Sequence, residues 1–318
     1  MSVIDETQPL VSILINNYNY AHYVGDAINS ALAQAYSNVE VIVVDDGSTD
    51  NSRTVIASYS DRIISVFKEN GGQASALNAG FVVSKGEIIC LLDADDLFLP
   101  EKVSEVVDLF KSHPGIDWVF TESAPAESKD IVDIDLKVLF KQIFDKNPKS
   151  PPRKIDFRTN IRNAELPNFT PSTSNLCFSR SFSEKLFPLP EVRGTSGLAI
   201  CDTYINLLAA GLGVGCVTVR NLGIFRFHQN NLYTTQEFDK KRKIRAEILI
   251  TTAYWIRVRF PEFSKLSKRL FVRGFGTYLK SRSRNESCEE MKRDYLSKIA
   301  FQEKVEISLL TFYYLIKP

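Results

Sequence analysis

The stretch GEIICLLDADDLFLP, residues 86–100, passes from an apolar run (Ile88 to Leu92) into three carboxylates, Asp93, Asp95 and Asp96, within four residues. At an effective dielectric of about 20, two unit charges about 4 Å apart repel by about 4 kcal/mol. Such crowding requires protonation, basic neighbours, solvent or a bound cation. On an extended segment the alternation D-x-D points Asp93 and Asp95 to one side, which suits a hard divalent ion taking oxygen ligands. The alternative is local: Asp96 caps a helix that starts near Pro100 while the other acids stay solvated.

Outward from this strand the pattern recurs. PLVSILINN (residues 9–17) and VEVIVVDDGSTDNS (residues 39–52) are apolar, β-branched runs ending in polar turn residues, with a helical pattern over residues 22–35 between them. That is a βαβ unit whose strands are buried on both faces. RIISVFKE, QASALNAGFVVS, EIICLLD, PEKVSEVVDLFKSH and DWVFTES continue the alternation of strand and helix. The pattern predicts an α/β fold with a Rossmann-like, mostly parallel sheet and helices on both faces. Ligands of such sheets collect at the carboxyl ends of the strands. The polar clusters at residues 16–19, 45–48 and 93–95 are therefore expected on one rim.

From Glu122 to Pro171 the pattern weakens, which predicts an insertion or flexible loop near the site, with one amphipathic helix over residues 131–144. STSNLCFSR then reads as a strand, LAICDTYINLLAAG as a helix, and VGCVTVRNLGIFRFHQNN as two short strands. Beyond Gln236 the chain reads as three helical segments. The expected division is a sheet domain over residues 1–235 and a basic helical region over residues 236–318.

With 318 residues, 44% of them hydrophobic, the chain can bury a substantial core. No apolar run approaches the roughly 20 residues of a membrane span, and the N-terminus MSVIDETQPL lacks a basic start and an apolar signal core. The expected location is the cytoplasm, on the inner face of a membrane if peripheral. Five widely spaced cysteines without CxxC pairs read as free thiols rather than a zinc site. The net charge of +1 hides an asymmetry: residues 240–284 hold 14 Lys/Arg against Glu247 and Glu262, a local +12 that leaves −11 elsewhere. Cations interleave there with aromatic and aliphatic residues, as on an interfacial helix, so an anionic membrane surface is the expected partner. No nucleic-acid-binding motif accompanies the charge.

Neither GxGxxG after the first strand nor GxxxxGK[ST] occurs, so both glycine-rich phosphate cradles are missing. A metal ion at the acidic strand ends would neutralise phosphates instead. VSILINNYNYAHYVGDAINSALAQAYSNVEVIVVDDGSTDNS, NGGQASALNAGFVVSKGEIICLLDADD and RFHQNN together resemble the family 2 glycosyltransferases of GT-A fold, closely over residues 9–120 and more loosely to residue 232. The resemblance implies metal-dependent, inverting transfer of a sugar from a nucleoside diphosphate, with UDP favoured. The acceptor would be a hydroxyl on a glycan or lipid-linked molecule, in surface glycan or polysaccharide synthesis. A non-catalytic nucleotide-sugar-binding protein of the same fold is the alternative.

Carried over by position, the resemblance places Asn16 and Tyr18 at the base and Asp46 at the nucleobase edge. Gly72 and Gln73 fall in the loop that approaches the donor, and Asn78 on the helix behind it. Asp95 is the implied ligand of Mg²⁺ or Mn²⁺ and Asp93 the ribose or water-mediated contact. His228 would complete the metal shell, Arg226 would meet the diphosphate, and Asp202 would be the catalytic base. Two departures stand out: Leu77 where relatives often have Arg, and Cys201-Asp202 where they often have Glu-Asp.

Overall fold

The computed structural model describes residues 8–132, 135–192, 201–231, 233–281 and 284–316. The strands in chain order are β1 (Val11–Asn17), β2 (Val39–Asp45), β3 (Ile64–Phe67), β4 (Ile88–Asp93), β5 (Leu97–Phe98), β6 (Trp118–Glu127), β7 (Arg153–Asp156), β8 (Leu176–Ser179) and β9 (Val214–Phe227). The helices are α1 (Val24–Leu32), α2 (Ser52–Ala57), α3 (Gln73–Val83), α4 (Lys102–Ser112), α5 (Ser128–Val132), α6 (Leu136–Asp145), α7 (Arg158–Arg162), α8 (Arg180–Leu186), α9 (Asp202–Leu212), α10 (Phe238–Arg259), α11 (Ser264–Lys280), α12 (Glu286–Ser297) and α13 (Phe301–Ile316).

Two compact units emerge. The first comprises Met1–Asp156, Pro171–Leu189 and Leu212–His228; the second comprises Phe157–Thr170, Pro190–Gly211 and Gln229–Pro318. The nine strands among the described residues lie in the first, in one sheet ordered β3-β2-β1-β4-β8-β6-β9-β5, with β7 added on β9. The β3-β2-β1-β4 half is parallel, as the βαβ alternation requires. Beyond β4 the sheet is mixed: β8 runs antiparallel to β4 and β6, β6 and β9 are parallel, and β5 is antiparallel to β9.

One face of the sheet, carrying Ile13, Ile15, Val41, Val43, Cys90 and Leu92, packs on Val24, Ala27, Ile28 and Ala31 of α1 and on Val103, Val106 and Val107 of α4. Each aliphatic side chain buried in this way contributes about 1.5–3 kcal/mol. On the other face α3 lies close, and a Cβ on Gly80 would approach Val44 Cγ2 to 3.2 Å. Register then fixes the rim. Asn17 pairs with Asp45 across β1 and β2, and Asn16 with Asp93 across β1 and β4.

The C-terminal sheet segment departs from expectation. Val214–Phe227 is one continuous strand of 14 residues, not two. Asn221, Leu222 and Gly223 sit inside it. Gly223 is needed for close packing, since a Cβ there would stand 2.8 Å from Ser123 Oγ and 2.9 Å from the Leu97 carbonyl oxygen. Register shifts in the facing β6, around Glu122, absorb the irregularity. The weakly patterned insert holds the end of β6, the short helices α5 and α7, the amphipathic α6, and β7.

The second unit is helical, and its described residues beyond Gln236 form four helices and a 3-10 turn at Pro261–Phe263 rather than three segments. Helices α10 and α11 touch at Gly274, where a Cβ would come within 2.8 Å of Leu249 Cβ. Phe271 and Tyr295 stack with centroids 4.0 Å apart, tying α12 to α11. Among the described residues no helix is long and apolar enough to cross a membrane.

Candidate active site

Strand β4 ends at Asp93 and the chain turns at once, closed by Asp96 N donating to the Asp93 carbonyl (3.1 Å). The extended D-x-D alternation therefore stops at its first residue, and the three acids are accommodated separately. Asp93 Oδ1 accepts from Gln73 Nε2 at 2.8 Å. Asp95 Oδ2 lies 3.0 Å from His228 Nε2, with the imidazole almost fully buried. Asp96 is buried; its carboxylate accepts from Ser174 Oγ (2.6 Å) and from the Arg226 backbone N–H (3.1 Å).

Burial first, and then the Asp95 charge, pushes the Asp96 carboxyl up to about 8. Asp96 is thus an interior group and does not cap a helix. Helix α4 is preceded by Glu101 and has no side-chain cap. Behind Asp96 lies a buried cation, Lys102, donating to Thr121 Oγ1 and to the Ser174 carbonyl oxygen, with its ammonium 4.9 Å from the Phe98 ring. Burial lowers its pKa.

Residues leading into α1 form a wall beside Asp95. The Tyr23 ring lies 4.4 Å from the His228 ring, with the Arg226 guanidinium 5.0 Å away over its face. Arg226 Nη2 donates to Asp26 in the first turn of α1 (2.8 Å). Tyr20 meets His228 edge-on at 5.6 Å. Burial, then the charges of Asp95, Asp93 and Asp96, lifts the Tyr20 phenol far above its ordinary range, so it keeps its proton.

The third part of the rim is the loop before α3. Asp46 accepts from Lys68 Nζ (2.6 Å), Gly71 N (3.0 Å) and Gly72 N (2.7 Å). Its carboxylate thus shapes the loop expected to approach a donor. Gly47 and Gly72 have φ of +76° and +86°. A Cβ on Gly47 would strike Asn70 N at 2.6 Å, whereas Gly72 faces open space. Asp45 is equally engaged, by Asn17 Nδ2, Ser48 N and Arg53 Nε. Tyr18 is exposed at the end of β1, and Asn16 Oδ1 is enclosed without a hydrogen-bond partner among the described residues.

The first unit thus brings Asn16, Tyr18, Asp46, Gly72, Gln73, Asp93, Asp95, Arg226 and His228 onto strand ends and their adjoining loops. Asn78 is otherwise placed. Its amide donates to the Leu189 carbonyl (2.8 Å) and accepts from Leu189 N (2.6 Å), so it anchors that segment. Asp202 belongs to the second unit, where it is the exposed first residue of α9. Sequence reasoning missed Tyr20, Tyr23, Asp26, Lys68 and Lys102. The available signal was the three tyrosines of NNYNYAHY, only one of which had been singled out.

Among the described residues no three His, Cys, Asp or Glu side chains gather as a metal cluster. The Asp95–His228 pair is nevertheless a fitting partial set. Their contact is a 3.0 Å hydrogen bond, and a carboxylate and an imidazole are donor types that would suit a divalent ion. A magnesium-type site completed by substrate phosphate needs only one or two protein carboxylates.

A parallel half-sheet with acids, amides and tyrosines at its carboxyl ends has the form of a nucleotide-binding α/β enzyme. The profile described as glycosyl transferase family 2 matches residues 12–187. An uncharacterized glycosyltransferase of Nostoc sp. (strain PCC 7120) is 32% identical over 282 residues, 85% of this chain and 83% of that one. The chain belongs to glycosyl transferase family 2, and so to the nucleotide-sugar-dependent glycosyltransferases. An uncharacterized glycosyltransferase of Rickettsia typhi is 50% identical over 101 residues, but this match spans only 32% of either chain. The structure of S. aureus TarS 1-349 in complex with UDP-GlcNAc shares the GT-A fold, with a TM-score of 0.56 over 93% of this chain and 77% of that one, at 15% identity.

Proposed function

We propose that the protein transfers a sugar from a nucleoside diphosphate, with UDP favoured, to a hydroxyl of a glycan or lipid-linked acceptor, inverting the anomeric centre in surface glycan or polysaccharide synthesis. The observation that carries this reading is the Asp95–His228 pair, just beyond the carboxyl ends of β4 and β9 and next to Asp93, in a family 2 chain. The fold shared with a UDP-GlcNAc-bound enzyme supports UDP by analogy.

Asn16 and Tyr18 receive the base. Asp46 acts through the Gly71–Gly72 loop as well as at the base edge, and Gln73 orients Asp93 towards the ribose. Asp95 and His228 would hold Mg²⁺ or Mn²⁺, which would supply Lewis-acid neutralisation of diphosphate charge. Arg226, fixed by Asp26 and Tyr23, adds a buried positive charge that favours the departing diphosphate. Asp202 takes the proton from the acceptor hydroxyl. The segment 240–284, with its local +12, attaches the enzyme to an anionic membrane face where lipid-linked acceptors reside.

The test is product analysis with UDP-sugars and a membrane-lipid extract as acceptor source. The expected products are UDP and a glycoside, and Asp202→Asn should lower turnover by about 10²–10⁴ with UDP binding retained. Release of pyrophosphate would exclude a glycosyltransferase. An Asp202→Asn protein working at the wild-type rate would remove that residue as base.

A further inference from the structure

Helix α13 of the helical unit has one exposed apolar face. Ile307 and Thr311 of α13 are buried, and Gly276 of α11 packs on Tyr314, where a Cβ would stand 2.8 Å from Tyr314 Cβ. Away from that seam lie Phe301, Leu309, Phe312 and Tyr313, exposed by 79, 67, 61 and 50%, with Val305 between them. Their spacing keeps them on one side of the helix. Of the acids of α13, Glu303 lies off this stripe and pairs with Arg257 (3.0 Å), while Glu306 borders it beside Tyr313 and pairs with Lys268 (2.8 Å). Single exposed apolar residues need no explanation, whereas a contiguous aromatic and aliphatic stripe marks a binding face.

Arginines cluster in the same unit. Arg269 and Arg273 are one turn apart on α11 and therefore neighbours. Helix α10 meets α11 at Gly274, one residue beyond Arg273 and one turn from Arg245 on α10. Arg245 and Arg273 form no ion pair among the described residues, and Arg269 donates to the Ala164 carbonyl (2.6 Å). Burial, then the charges of Arg245 and Arg269, depresses the Arg273 guanidinium. Like charges beside Arg273 repel it, and a bound anion would relieve that repulsion.

We infer that α13 and this arginine cluster form a docking surface for an anionic phospholipid leaflet, the apolar stripe entering the headgroup–acyl boundary while Arg245, Arg269 and Arg273 hold lipid phosphates. The inference rests on the membrane attachment proposed above and names its contact residues. A leaflet supplies both an oily boundary and negative charge. A second copy of this chain would also cover the stripe, but with a net charge of +1 it offers the arginines no excess of negative charge.

The experiment is flotation of the full chain with phosphatidylcholine vesicles, alone or with about 30% phosphatidylglycerol as the anionic lipid. Wild type should bind only the anionic vesicles. The double variants Leu309→Ser/Phe312→Ser and Arg245→Gln/Arg273→Gln should each lose about tenfold or more in affinity, while melting in solution as wild type does. Val82→Ser, which removes an 81%-exposed side chain from α3, should bind unchanged.

If wild type ignores anionic vesicles, both the inference and the membrane attachment fail. If wild type binds and Leu309→Ser/Phe312→Ser binds equally, the inference fails while attachment through other residues stands. A wild-type dimer that Leu309→Ser/Phe312→Ser converts to monomer would assign the stripe to a second copy and overturn the inference.

Discussion

Gly72→Ala separates the shape of the donor loop from its chemistry. Gly72 has φ +86° and ψ 171°, a region almost closed to residues with a Cβ, yet nothing lies within 4 Å of where that Cβ would be. The penalty is therefore backbone strain, about 1–3 kcal/mol, and for a chain of this length it lowers Tm by about 2–4 °C. If the loop relaxes, the hydrogen bond from Gly72 N to Asp46 is disturbed; if it does not, the methyl projects into the open space where the donor is proposed to lie. Either way nucleoside diphosphate affinity should fall. Gly115→Ala is the control. It also has positive φ (+79°) and open surroundings, but it lies in the connection between α4 and β6. Scanning calorimetry with nucleotide titration should show similar Tm losses for both variants and weaker binding only for Gly72→Ala. Equal nucleotide affinity in the two variants would refute the placement of the donor at this loop.

Tyr23→Leu removes the ring against His228 and beneath Arg226, contacts worth about 0.5–1.5 kcal/mol each. Isothermal calorimetry should show metal-dependent UDP affinity reduced about tenfold, and Tyr23→Phe should behave as wild type. Gly215→Ala probes the sheet away from the site, because its Cβ would fall 1.9 Å from Trp118. Overpacking there should cost about 1–3 kcal/mol in urea unfolding with nucleotide affinity retained.

Much of the architecture was legible because it is local. Apolar runs punctuated by polar turns give parallel strands, and parallel register brings Asn16, Asn17, Asp45 and Asp93 to one end. Arg226 and His228, two residues apart at the end of β9, both meet Tyr23. The missing parts depend on contacts distant in sequence. Asp95 and His228 are 133 residues apart, and only the family resemblance joined them. Lys102 reads as a surface helix residue until tertiary packing encloses it behind Asp96. Gly223 carries the same letter in a turn as in a close strand contact. The grouping of residues 157–170 and 190–211 with the C-terminal helices arises from packing that no local period encodes.

The central claim is that Asp95 and His228 join a divalent ion to a nucleoside diphosphate. Its most direct test is the thermal stability of wild type and Asp95→Asn with UDP or GDP, each with and without Mn²⁺. Ligand at 100 times its Kd should stabilise the folded chain by about 2.7 kcal/mol. The account predicts a shift with one nucleotide that requires Mn²⁺ and disappears in Asp95→Asn. A shift of equal size without the metal and in the variant would contradict it.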